Sequence, residues 1–533
     1  MKKLISLVLY VALIFLFLKC AKRGNPSGGP IDETAPVLLR ATPELRKTKF
    51  KDERIRLYFD EYVKLNKLNE QLIISPPLDA TSYNITPQST AAKYIEIKFL
   101  DSLKPNTTYN FNFGQSIVDN NEGNPFSYFR YVFSTGEYVD SLKVSGTIGN
   151  AFGREPRNFV SVMLYSIDST YTDSIIFKRP PDYLSNTLDS LKVFEIENVR
   201  SGQYLVIAQK DIANNYTFDQ RSDEIGFVSD FINLPLDSLF HMDLFLEQPD
   251  FSLGRTFQAG KNRVGIGYFG DPSSLKIKPL NINDSIQTVQ SFDKTTDTIY
   301  FWYNDLKLDS LMFNIQHDKL NTEITHQIRK SKIDSLNISF NFSGTLHLND
   351  TLRIESSTPI TNINKDLINF INRDSIPVPF NTYIEDPHNI RFDFEILPND
   401  TYKMKLLPGA ITDFFEEFND TLEVQLQTKK PSDYGSVTLQ LLGVPSYPII
   451  LQLTDEKEKL VRSLNIKAAQ PKISLTNLLP KKYYVRLIVD ENQNGKWDTG
   501  RFLDRRLPEK VYHYEPLLDV RANWELQERF ILE

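Results

Sequence analysis

The chain has 533 residues, more than one hydrophobic core usually spans, so several domains are expected. Hydrophobic residues make up 41% and aromatic residues 12%, enough apolar side chain to fold throughout rather than stay disordered. With 61 Lys and Arg against 68 Asp and Glu, a formal net charge of −7 and no long run of either sign, no basic face emerges to neutralise phosphates, and nucleic acid is not an expected partner.

The first residues read Met1-Lys2-Lys3 and then an apolar run from Leu4 to Leu18. That is the charged start and apolar middle of an export signal, and it falls short of the roughly 20 residues that cross a bilayer. The run ends at Cys20, the one cysteine of the chain, which therefore has no intramolecular disulfide partner. In this the segment resembles a bacterial lipoprotein signal, with Phe17-Leu18-Lys19 standing where that family has Leu, a small residue, and Gly or Ala. The resemblance implies removal of residues 1–19, acylation of Cys20 and attachment to the cell envelope, with the outer membrane as the expected site. Residues 20–33, rich in Gly, Pro and Ser, read as an extended tether.

Beyond the tether, alternation of apolar and polar residues marks strands with one buried face, as in Ile55-Arg56-Leu57-Tyr58-Phe59, Tyr94-Ile95-Glu96-Ile97-Lys98-Phe99 and Tyr109-Asn110-Phe111-Asn112-Phe113. No long capped helix is evident, and an all-β chain of tandem β-sandwiches is expected. Lys104-Pro105-Asn106-Thr107-Thr108-Tyr109 is echoed by Leu397-Pro398-Asn399-Asp400-Thr401-Tyr402. Ile117-Val118-Asp119 is echoed by Ile411-Thr412-Asp413, and the closing Phe133-Ser134-Thr135 by Leu426-Gln427-Thr428. With Asp119-Asn120-Asn121-Glu122-Gly123-Asn124-Pro125, residues 34–137 resemble the bacterial Ig-like domain of S-layer and other envelope proteins, and 345–430 resemble a divergent second copy.

A second echo links Ser201-Gly202-Gln203-Tyr204, leading to Asp211, with Pro480-Lys481-Lys482-Tyr483, leading to Asp490. Both contexts resemble transthyretin-like or carboxypeptidase-regulatory-like sandwiches, placed at 140–250 and 434–533. The stretch between, 251–344, is strand-rich and of unassigned type.

Motifs of catalysis are sparse. The six histidines, His241, His317, His326, His347, His388 and His513, fall in no zinc or nucleophile signature, and no phosphate-binding glycine loop is present. The adjacent pair Asp60-Glu61 is expected to be a turn, since neighbouring strand residues point to opposite faces. One loop has a chemical pattern: Asp490, Asn492, Asn494 and Asp498 place side-chain oxygens at alternating positions around Gly495, as in the first half of a calcium loop. Arg501 stands where such a loop has its closing Glu, so a cation would draw on Asp498, Asp504 or backbone carbonyls. The corresponding Asp211–Asp219 segment has Ala213 and Tyr216 at the ligand and glycine places, and is expected to be only a loop. Asp-Ser/Thr followed by Leu recurs at Ser102, Ser141, Ser190, Ser238, Ser310, Ser335, Thr351 and Thr421, resembling acceptor sites of a periplasmic O-glycosylation system.

These features lead to an expectation of a non-enzymatic envelope lipoprotein whose modules, joined end to end, form a binding or scaffolding rod. It would be anchored through Cys20, with calcium as the one candidate cofactor and an envelope protein or glycan as partner. The competing expectation is a carbohydrate-acting or peptidase-accessory enzyme with its site in 251–344.

Overall fold

A computed structural model describes residues 32–187, 192–236, 238–283, 286–304, 308–318 and 320–532. Cys20, the export segment, nearly all of the tether and the Ser190 acceptor lie outside the described residues. The architecture is all-β, a series of sandwiches built from mostly antiparallel sheets, with one four-residue α-helix, Leu68–Gln71, among the described residues.

In the first module, Leu38–Thr42, Arg54–Leu65, Ala92–Phe99 and Tyr83–Thr86 form one sheet, with Ile117–Asp119 pairing onto Arg54–Leu65. Ile73–Ser75, Thr108–Asn112 and Arg130–Ser134 form the other. Alternation does what period two requires: Ile55, Leu57 and Phe59 point inward against Ile95, Ile97, Phe111 and Phe133. Asp60 and Glu61 lie inside the long strand Arg54–Leu65 rather than in a turn, at the register shift between Tyr58 and Val63. Asp60 Oδ1 accepts the Val37 N–H at 2.8 Å across the strand edge.

The Pro-Asn echo is reproduced bond for bond. Tyr109 Oη accepts the Lys104 N–H at 2.9 Å, and Tyr402 Oη accepts that of Leu397 at 2.7 Å. Thr135 Oγ1 accepts the Thr107 N–H and donates to Lys104 O, while Thr428 Oγ1 does the same for Asp400 and Leu397. Each turn therefore locks its own closing strand, with Asn106 and Asn399 taking the left-handed conformation that Asn tolerates.

The second module joins eight strands between Leu142–Asn150 and Leu239–Leu246. The last runs from Gly435–Leu442 to Glu525–Ile531. In both, the first and final strands pair in parallel, a shared closure that supports the second echo. Residues 252–327 form two further sheets around Ile266, Phe301 and Phe313. Ile338–Phe340, expected with that stretch, pairs with Leu352–Ser356, and Gly344–Thr345, at the expected boundary, pairs with Leu422–Gln427.

The expectation of modules strung end to end is corrected. Polar pairs join the first module to the second and the third to the fourth, and the last module also docks on the second. Asn110, expected to face solvent on its strand, is buried at the first joint, where its Nδ2 donates to Asn198 Oδ1 at 3.1 Å and Thr108 Oγ1 donates to Asp140 Oδ2 at 2.8 Å. From the last module, Phe502 is fully buried against Phe227 of the second, with ring centroids 5.4 Å apart. The physical reason is the long loop after Asp490, which carries Phe502 out of its own sandwich and buries it in another module's core.

Candidate functional site

Three places bring chemistry-bearing side chains together. The first is the Asp490 loop, which follows the strand Lys482–Val489. Asp490 is buried, and its two carboxylate oxygens each accept a backbone N–H, from Asn494 and Gly495, both at 3.0 Å. Gly495 holds φ +78°, the left-handed region its lack of Cβ makes easy. The amides of Asn492 and Asn494 both converge on Asp498 Oδ2. The four expected residues are thus gathered in one turn.

Sequence reasoning missed a fifth. Glu509, 7% exposed, accepts the N–H of Glu491 at 2.8 Å and of Asp498 at 3.0 Å, tying the two ends of the loop together. Burial pushes its carboxyl above the usual range, against the backbone donors that pull it down. Among the described residues no Lys, Arg or His forms an ion pair with Asp490, Asp498 or Glu509, and no set of three or more His, Cys, Asp or Glu has metal-holding geometry. A cation here would therefore lean on the Asn amide oxygens. Asp504 is directed away, pairing with Arg501 at 3.5 Å.

The Asp211 loop, expected to be unremarkable, has the same backbone plan. Asp211 Oδ2 accepts the N–H of Tyr216 at 2.7 Å, five residues on, as Asp490 does from Gly495. Asn214 and Tyr216 have positive φ where the last module has Gln493 and Gly495. Asp223 accepts from Ile212 and Asp219 as Glu509 does from Glu491 and Asp498. No spacing rule finds this, because the closing carboxylate arrives at a different distance along each chain segment.

The second place lies partly in 251–344, the stretch where the competing expectation put an enzymatic site. Ser291 Oγ accepts from Trp302 Nε1 at 2.9 Å and lies 3.0 Å from His388 Nε2. His388 Nδ1 is 2.9 Å from Ser356 O, which can only accept, so Nδ1 carries the proton and Nε2 accepts from the serine. Burial holds the imidazole below its usual pKa. This is a serine–histidine pair beside a cavity of about 490 Å3 that Asp293 and Asp386 also line. Ser291 is only 2% exposed and its oxygen is engaged by the indole, so the group acts as a joint between the third and fourth modules.

The remaining histidines serve packing or bonding. His347 Nδ1 meets Tyr434 Oη at 3.3 Å between the fourth and last modules, and His317 stacks on Phe251 at 3.9 Å. His326 lies between Thr256 and Gln258, His241 pairs with Asp243, and His513 is largely buried with its Nε2 unpartnered. Of the Asp-Ser/Thr acceptors, Ser102, Ser141, Ser238, Ser335 and Thr421 are exposed, while Ser310 and Thr351 are half-buried.

The third place is the interlock of the last module with the second. Glu247 Oε1 accepts the backbone N–H of Phe502, and Gln220 Nε2 donates to Glu247 Oε2 at 2.7 Å. Thr499 Oγ1 donates to Leu246 O at 2.7 Å, and Arg501 holds Asp250 in a two-bond pair at 2.9 and 3.0 Å. Arg154 reaches back to donate to Tyr514 O at 2.7 Å and to Glu515 at 3.0 Å. Trp497 packs at a tilt against Phe152 with centroids 4.7 Å apart.

Residues 32–135 match the bacterial Ig-like domain family. No match is found among curated proteins. Among solved structures, domains 1–6 of the surface layer protein SbsC are 10% identical over 91% of this chain and 67% of that one, with a TM-score of 0.16. BcpA, the major pilin subunit of Bacillus cereus, is 8% identical over 74% of this chain and 99% of its own, at 0.14. Domains A168–A170 of titin are 9% identical over 52% and 98%, at 0.15.

Proposed function

We propose that the chain is a non-enzymatic scaffold lipoprotein of the bacterial cell envelope, anchored through an acylated Cys20 and presenting a fixed multi-module body to an envelope protein or glycan. The observation that carries the scaffold reading is the interlock: Phe502 is fully buried in another module and Glu247 caps its backbone. A body closed on itself in this way holds its surfaces in constant relation, which suits display and bracing. The bacterial Ig-like match over residues 32–135 is compatible with that role. The anchor rests on the sequence pattern ending at Cys20 and places the protein at a membrane, with the outer membrane favoured.

We also propose that the Asp490 loop takes Ca²⁺ weakly. What supports it is the gathering of Asp490, Asn492, Asn494 and Asp498 in one turn, with Glu509 behind them and, among the described residues, no Lys, Arg or His ion-paired to Asp490, Asp498 or Glu509. Oxygen donors and a hard divalent cation match, and a site poor in carboxylates binds in the extracellular range, about 10⁻⁴–10⁻³ M.

The anchor is tested by fractionating cells that make the Cys20→Ala chain. Release from the detergent-dependent membrane fraction into the soluble one is expected; unchanged membrane association would overturn the lipoprotein reading.

A further inference from the structure

Between the second and last modules a cleft of about 710 Å3 opens, within the range of about 300–1,000 Å3 typical of small-molecule sites. Arg486, on the strand Lys482–Val489, is its most deeply buried charged residue. Val485 and Leu487 point into the last module's core, so Arg486 between them points the other way, toward the second module.

This arginine is 6% exposed and forms no ion pair among the described residues. Its Nε donates to Gln452 Oε1 at 2.7 Å, and the guanidinium carbon lies 3.8 Å over the Phe152 ring of the second module. Nη1 and Nη2 have no hydrogen-bond partner among the described residues, yet they are not sealed off as Nε2 of the cross-strand neighbour His513 is; they keep accessible surface where the residue lines the cleft. Burial lowers even this guanidinium's pKa, with Glu458 acting against it. A buried charge is costly unless it is paired, and a fork of two open nitrogens matches a carboxylate or a phosphate.

The rest of the wall decides between them. Arg157 is held by Glu224 at 2.7 Å, and Arg154, close by, is held by Glu515 at 3.0 Å. Glu155, Glu456 and Lys457 are exposed at the mouth, and Glu458 is half-buried with Oε1 accepting the Arg154 N–H at 3.2 Å. Carboxylates outnumber the ammonium there, so a plain anion such as phosphate is repelled on its way to Arg486. A molecule with an ammonium group set apart from its carboxylate is drawn in at both ends. Phe152 and Trp497 add an apolar wall.

We propose that this cleft binds a short zwitterionic peptide, its terminal carboxylate on the Nη groups of Arg486 and its ammonium among Glu155, Glu456 and Glu458. Both modules build the site, so such a ligand also clamps the interlock, and the site does not depend on the anchor.

The test uses the intact chain in detergent, with alanyl-alanine and lysyl-alanine as free acids and as C-terminal amides, N-acetyl-alanyl-alanine, and inorganic phosphate as a plain anion, read by isothermal titration calorimetry. Saturable binding of at least one free-acid dipeptide is expected, weakened by about tenfold or more when the carboxylate is amidated, when the amine is acetylated, and in Arg486→Gln. Arg486→Lys, which keeps the charge without the fork, should fall between. Comparing acid with amide needs no substitution, so it decides the matter even where position 486 is needed for folding. Absence of saturable binding by both free-acid dipeptides, equal binding of acid and amide, undiminished binding in a folded Arg486→Gln chain, or phosphate binding as tight as that of the peptides would overturn the proposal and leave Arg486 as a joint between the modules.

Discussion

Glu247 and Phe502 lie 255 residues apart in the chain, yet the carboxylate of one accepts the backbone N–H of the other in a buried contact between two modules. A fully buried aromatic side chain supplies apolar contact and the capped N–H removes the cost of burying the loop backbone, so the two interactions depend on each other.

Truncating the ring should therefore break the interlock. Phe502→Ala is expected to cost about 3–5 kcal/mol of docking, the usual range for a buried aromatic residue. Gly500→Ala should have a similar sense, because a Cβ there would come within 2.6 Å of the Phe245 ring and 2.7 Å of Arg506 O. Hydrogen exchange should show both substitutions exposing the 497–506 loop while the sandwich strands around Val485 and Leu487 stay protected. Equal loosening of those strands would mean that the loop belongs to its own module's stability.

The interlock should also respond to pH. Burial raises the Glu247 pKa above its ordinary value of about 4.5. A carboxyl whose folded pKa is raised contributes stability that is fully present below the unfolded value and is lost as pH rises through the folded one. Docking should then be tighter at pH 4.5 than at pH 7, and Glu247→Gln should remove that difference while an amide oxygen still accepts the Phe502 N–H. Hydrogen exchange of the loop at the two pH values, corrected for the intrinsic rate, measures this.

The joint of Ser291, Trp302 and His388 should behave in the opposite sense. Burial first, and the nearby Arg263 later, lower the His388 pKa, while Ser356 O and nearby carboxylates raise it. Stability from a base with a depressed pKa is present above its ordinary value of about 6.5 and is lost as pH falls through the folded one. Acid should loosen this joint, seen as a rise in the solvent accessibility of the fully buried Trp302 by fluorescence quenching. Quenching that stays constant from pH 7 to 4.5 would contradict it.

Calcium at about ten times a dissociation constant of 10⁻⁴–10⁻³ M should stabilise the folded chain by about 1.4 kcal/mol. Asp490→Ala should abolish this increment, and Glu509→Gln should reduce it by loosening the loop ends. Identical melting of the last module in calcium and in chelator would show that the loop is held by its own hydrogen bonds alone.

How much of this was legible in the sequence follows the range of the interactions. Alternation around Ile55 and Ile95 and the Pro-Asn turns at Asn106 and Asn399 are local, and the strands and locked corners they specify are present. The four residues of the Asp490 loop are close in sequence and meet in space. Glu509, Asp223 and Glu247 were missed because each acts through a backbone N–H whose position only the tertiary fold determines. Asn110 reads as an outward strand position, and its outer face is covered by another module. Phe502, the one aromatic residue of the Arg-rich 499–506 loop, is the hint the sequence offers of docking, and it names no partner surface.

The interlock is tested most directly by proximity. In Arg501→Lys the charge facing Asp250 is kept and an amine is introduced, so a carbodiimide can couple only if the two groups touch; in the native pair the guanidinium lies 2.9 Å from the carboxylate. Peptide mass spectrometry of the monomer should find an isopeptide joining position 501 to Asp250, at a yield independent of dilution and lost when Phe502→Ala is added. Absence of that link from the monomer, or its appearance only at concentrations where the chain dimerises, would contradict the closed arrangement and return the modules to an open string.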